Sequence, residues 1–134
     1  MASITAIESM EHRDATKLRK AGIRTTEALL KSAATRTGRR RLSRETGLSE
    51  AVILAWANRA DLMRIRGIGS EYADLLEATG VDTIRALRRR NPDRLLEAMT
   101  GTNLRRRVIR RLPTDGMVRR WVDEAQEIEP IVAR

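Results

Sequence analysis

The chain repeats itself, and the repeat limits what it can fold into. Shifted by fifty-eight positions, residues 4–30 lie on residues 62–88 without a gap. Ile7 falls on Ile65, Ala15 on Ala73, Leu18 on Leu76, and Ala21, Gly22, Ile23 on Thr79, Gly80, Val81. Thr25, Ala28 and Leu29 then meet Thr83, Ala86 and Leu87. Farther on the offset grows to 65 or 66, so that Arg39, Arg40 and Arg41 fall on Arg105, Arg106 and Arg107, and Trp56 on Trp121. The chain has two tryptophans, and they occupy equivalent places. Self-similar stretches must satisfy one burial pattern twice. We therefore expect two homologous units related by internal duplication, 1–61 and 62–134.

Each unit reads as helices. In the first, a short hairpin at 7–11 precedes a helix from about His12 to Ala21, closed by Gly22. Thr25 is placed to cap a helix over 26–34, a third helix follows Thr35–Thr37 and ends at Gly47, and Ser49 caps a fourth. Val52, Ile53 and Trp56 are expected on one side of that fourth helix. In the second unit a helix ends at Gly80, Asp82 or Thr83 starts the next, and Asn91-Pro92 is a cap followed by proline at the first helical position. Gly101 reads as an interruption, with Thr102 restarting the chain. Pro113 and Thr114 introduce a last helix carrying Met117, Val118, Trp121, Val122 and Ala125, and the tail after Pro130 is expected to fray. No stretch alternates as a strand does. The expected fold class is all-α, with about five short helices in each of two tandem units and the tryptophans plugging equivalent core or inter-unit positions.

Composition narrows the partners. Lys is confined to Lys17, Lys20 and Lys31, the rest of the 27 basic residues being Arg, and the formal net charge is +9. Such a balance points to a polyanion, with nucleic acid foremost. The absence of Cys excludes disulfides and thiolate metal sites. No apolar run approaches a membrane span, and the N-terminus lacks the pattern of a secretory signal, so a cytoplasmic protein without membrane association is expected. His12, the single histidine, cannot make a metal set with scattered Glu11 and Asp14. No nucleophilic triad or phosphate-loop signature is present. We expect a non-enzyme without cofactor or metal.

The segment LMRIRGIGSEYADLLEATGV, residues 62–81, carries the most specific pattern. Ile65, Gly67, Ile68, Gly69 and Ala73 match apolar-x-Gly-apolar-Gly followed by x-x-x-Ala, and with this the chain resembles the helix-hairpin-helix superfamily. Residues 59–84, with the RRLP at 110–113, extend the likeness over the whole chain to DUF4332, an uncharacterised and mainly bacterial domain-of-unknown-function family. The resemblance implies tandem hairpins and the superfamily's grip on one DNA backbone without base reading, but no established activity. The first hairpin departs from the pattern: Ser9 and Glu11 stand where Gly67 and Gly69 stand, and Glu8 replaces Arg66. A carboxylate there would repel phosphate, so the first hairpin is expected to be structural.

The expected phosphate site is therefore Arg64, Arg66, Gly67, Ile68, Gly69 and Ser70, where amides at a helix N-terminus favour an anion. Arginine clusters at 39–41, 88–90, 105–107, 110–111 and 119–120 can extend the surface, Arg105, Arg106, Arg107 and Arg110 being the accessory set. Three consecutive arginines on a helix span about 200°, so they cannot all face one duplex. Duplex DNA is the expected partner. A helical adaptor for another protein, with the hairpins as scaffolding, and a binder of structured RNA are the alternatives.

Overall fold

The computed structural model describes residues 2–133. Among them the chain is all-α: a 3-10 turn at Ile4–Ala6, then α1 (His12–Lys20), α2 (Thr26–Ala33), α3 (Arg36–Thr46), α4 (Glu50–Leu62), α5 (Ser70–Ala78), α6 (Ile84–Arg88), α7 (Pro92–Arg106) and α8 (Asp115–Glu127). The one β feature among the described residues is an isolated bridge between Ser3 and Thr25.

Local chemistry sets most helix starts. Thr25, Thr35, Ser49, Thr83, Asn91 and Thr114 each accept, through a side-chain oxygen, the amide three residues on at 3.0–3.2 Å. These bonds satisfy donors that a helix N-terminus leaves orphaned.

The chain divides into two compact units. The first runs to Asp61 and takes in the segment from Ile131; the second is Leu62–Pro130. The expected fraying after Pro130 is not observed. The amides of Ile131 and Val132 donate to Oδ2 of Asp61 at 2.9 and 3.1 Å, and the amide of Ala133 donates to the carbonyl of Ala34 at 2.8 Å. Asp61 is 3% exposed, and a buried carboxylate must find such donors. The tail therefore completes the first unit instead of extending the second.

In the second unit, α6 and α7 pack on α8, and α5 packs on α7. The core is Leu62, Ile65, Ile68, Leu75, Leu76, Val81, Ile84, Leu87, Leu95, Met99, Val118, Trp121 and Val122, with small Ala73 and Ala125 where helices approach closely. Four helices make this unit, because α7 does not break at Gly101. Met99 and Thr102, on either side of that glycine, are both buried on the inner face of α7, and this packing outweighs the low helix propensity of glycine, about 1 kcal/mol. In the first unit Ile53 and Trp56 are buried as expected, whereas Val52 is exposed.

Several backbone bonds of 4–29 recur fifty-eight residues later. Ile7 N to Ile4 O, Met10 N to Ile7 O, Ala15 N to Glu11 O and Ile23 N to Leu18 O match Ile65 to Leu62, Ile68 to Ile65, Ala73 to Gly69 and Val81 to Leu76, all at 2.8–3.1 Å. One difference stands out. Gly67 has φ +89°, whereas Ser9 is not among the described residues with positive φ.

Candidate nucleic-acid interface

The turn between α4 and α5 is built from two buried isoleucines and two unlike glycines. Ile65 and Ile68 point into the core, and the Ile68 amide donates to the Ile65 carbonyl at 3.1 Å. Ile68, expected among the phosphate-binding residues, thus has its side chain and its amide occupied, and it serves to anchor the turn. Gly67 sits in the left-handed region that favours glycine, and a Cβ there would stand 3.1 Å from Nε1 of Trp121. Gly69 is different. It has extended φ and ψ of −94° and −170° and open space around the position of a Cβ. Gly69 is also the N-cap of α5, and no side chain caps that helix.

Arg64 and Arg66 are exposed. The guanidinium of Arg64 donates to the carbonyl of Glu129 at 3.1 Å. The backbone amide of Arg66 is already bound: it donates to Oε1 of Glu124 at 3.1 Å. Glu124 belongs to a cleft of about 710 Å³ whose charged lining is Arg66, Arg120, Asp123, Glu124 and Glu127, over apolar Met117, Trp121 and Ile128. Three carboxylates against two guanidiniums make this side of the turn unfavourable for phosphate. The open approach is the other side, over Gly69 and the first turn of α5. Ser70, which starts α5, is buried at the base of that turn.

The end of α7 and the loop that follows it carry the accessory arginines, Arg105 and Arg106 in the last turn of the helix and Arg107 and Arg110 beyond it. Arg105, Arg106, Arg107 and Arg110 are exposed and form no ion pair among the described residues. Asn103 holds the loop closed: its Nδ2 donates to the Ile109 carbonyl at 3.1 Å and its Oδ1 accepts the Ile109 amide at 3.0 Å. Arg107 caps α7 in the left-handed conformation, φ 50° and ψ 50°.

Other arginine clusters are partly structural. Arg39 is 3% exposed and donates to the carbonyls of Ala33 and Ala34 at the end of α2. Burial and neighbouring Arg36 lower its pKa, and Arg40 and Arg41 beside it remain exposed. Arg88 does the same for α8, donating to the carbonyls of Ala125 and Ile128 at 3.0 and 2.6 Å. Arg119 is paired with Asp115 and Asp93, which raise its pKa. At the start of α1, Glu11 occupies the place of Gly69, caps nothing with its side chain and pairs with Arg13 at 3.1 Å.

A family model described as a domain of unknown function, DUF4332, matches residues 8–128. The chain belongs to this family. No curated protein and no solved structure matches it. The geometry of this DUF4332 chain adds three residues to those singled out in its sequence: Glu124, Asn103 and Leu104. Glu124 reaches the turn from 58 residues away, and no local pattern announces that. Leu104 is legible on a helical wheel, because it lies nine residues beyond core Leu95, about 180° around the helix.

Proposed function

We propose that this DUF4332 protein binds duplex DNA along its backbone without base preference, as a cytoplasmic accessory or architectural factor and not as an enzyme. The turn at 65–69 acts as a helix-hairpin-helix phosphate grip. The amides at the start of α5 receive a phosphate over Gly69, Arg64 adds charge near the turn while Arg66 is drawn to the acidic cleft, and those of Arg105, Arg106, Arg107 and Arg110 that share a side hold further phosphates. The twofold backbone pattern is read as an ancestral duplication in which the first copy lost its anion seat.

One observation carries the reading. α5 starts at a glycine that neither its dihedrals nor its surroundings require, and no side chain caps the helix there. Six other helices have a Ser, Thr or Asn cap. A helix start without a side-chain cap, at the positive end of the helix dipole, suits an anion. Backbone contact is favoured over base stacking, because single-strand binders display aromatic platforms whereas Trp56 and Trp121 are buried.

The test is an anisotropy titration with random duplex, single-stranded DNA and structured RNA. Duplex should bind tightest and indifferently to sequence; preference for RNA, or no binding to any of the three, overturns the reading. The helical-adaptor alternative draws on the mixed-charge cleft of α8 and its Met117–Trp121–Ile128 floor. Interface cores favour such apolar residues within a polar rim.

A further inference from the structure

Leu104 is 78% exposed, against 39% and 40% for Val52 and Ile131, the other exposed large apolar side chains among the described residues. It does not belong to the end of a core stripe. The buried residues of α7 are Leu95, Met99 and Thr102, and Leu104 lies about 180° from Leu95 and about 160° from Thr102 on the wheel. The helix presents it straight to solvent, with three arginines immediately after it and Arg110 and Arg111 beyond.

The base of this feature is fixed. Asn103 bonds both the amide and the carbonyl of Ile109, and its own carbonyl accepts the amide of Arg107 at 2.8 Å. Ile109 is buried. The last turn of α7 and the residues up to Ile109 are therefore anchored, with Val108 packed against the core, and a preorganised segment loses less conformational freedom on binding than a floppy one.

Resting on the nucleic-acid reading above, we infer that this end of α7 is a wedge. Leu104 enters the minor groove and unstacks a base step, while those of Arg105, Arg106, Arg107 and Arg110 that flank it on the same side hold neighbouring phosphates. A duplex has charge outside and apolar stacked faces inside, and it accepts a single apolar side chain flanked by cations at the cost of a kink. An anionic membrane offers the same two chemistries, but binding there scales with the apolar area of a whole helix face. The polar face of α7 displays one leucine.

The experiment compares the parent with Leu104→Ser, a change on an exposed face that leaves the core untouched. Binding to a random duplex is read by anisotropy, and bending by energy transfer between end labels. Vesicles of phosphatidylserine and phosphatidylcholine form a separate arm. The parent should shorten the end-to-end distance of the duplex, and Leu104→Ser should abolish that bend. Affinity should fall about tenfold, as for withdrawing one leucine from an apolar seat, with the salt dependence unchanged. A duplex carrying a two-nucleotide gap, already unstacked, should recover most of the loss. If Leu104→Ser binds and bends duplex as the parent does, the wedge is overturned while the backbone reading stands. Loss of vesicle binding with intact duplex binding also overturns it, in favour of a membrane contact. A parent that binds no duplex removes the reading itself.

Discussion

Gly67 lies over Trp121 so closely that any side chain added to it would begin 3.1 Å from the indole nitrogen. Gly69, two residues on, faces open space in an extended conformation. Two glycines of one motif thus differ: packing and backbone require the first, and neither requires the second. Gly67→Ala should lower stability by about 1–3 kcal/mol through left-handed strain and contact with the tryptophan. Gly69→Ala should change stability by less than about 1 kcal/mol, since only a modest N-cap preference is lost. Urea denaturation of the two variants measures the contrast.

Gly69→Glu places in the second turn the residue that the first turn already has. Because the space is open, the variant should fold with unaltered circular dichroism. Duplex affinity should fall by about 1–3 kcal/mol through loss of a charged hydrogen bond and repulsion of a phosphate. The reciprocal Glu11→Gly should bind at least as well as the parent. A folded Gly69→Glu variant with full affinity would move the site away from the turn.

Salt should report the arginines at the end of α7. With about three to five phosphates neutralised, log K against log salt should slope at about −3 to −4.5. Replacing Arg105, Arg106 and Arg107 together by Ala should flatten that slope by about 1–2, since the three cannot all face one duplex. An unchanged slope would exclude these side chains from the contact.

Arg39 should behave unlike its neighbours. Arg39→Ala withdraws a charged donor from two carbonyls at the end of α2 and should cost about 2–3 kcal/mol. Arg40→Ala and Arg41→Ala, on exposed positions, should stay within about 0.5 kcal/mol of the parent. Thermal melts of the three single variants decide it.

What could be read ahead of the structure was local. Thr25, Thr83, Asn91 and Thr114 reach only three residues to cap their helices, so sequence spacing places those starts. The all-α class follows from the same short-range patterns. Arg39 looked like one of three equivalent surface cations, and only the position of the α2 carbonyls makes it a buried clamp. Gly101 reads as a break because glycine is a poor helix former, but Met99 and Thr102 are held by a core that the local sequence does not display. At the turn, the Gly67–Trp121 and Arg66–Glu124 contacts join residues more than fifty positions apart, and neither follows from the GIG pattern. The acidic side of the site was invisible for that reason.

The return of the tail to Asp61 has a consequence for synthesis. The second unit is contiguous, Leu62–Pro130, whereas the first needs residues from both sides of it. Domains made on a ribosome usually fold in the order in which they emerge. Here the first unit is finished after the second, because the amides that satisfy Asp61 belong to Ile131 and Val132, which follow the whole of the second unit in the chain. Until then its buried carboxylate lacks those two donors, and the unit translated second can close first.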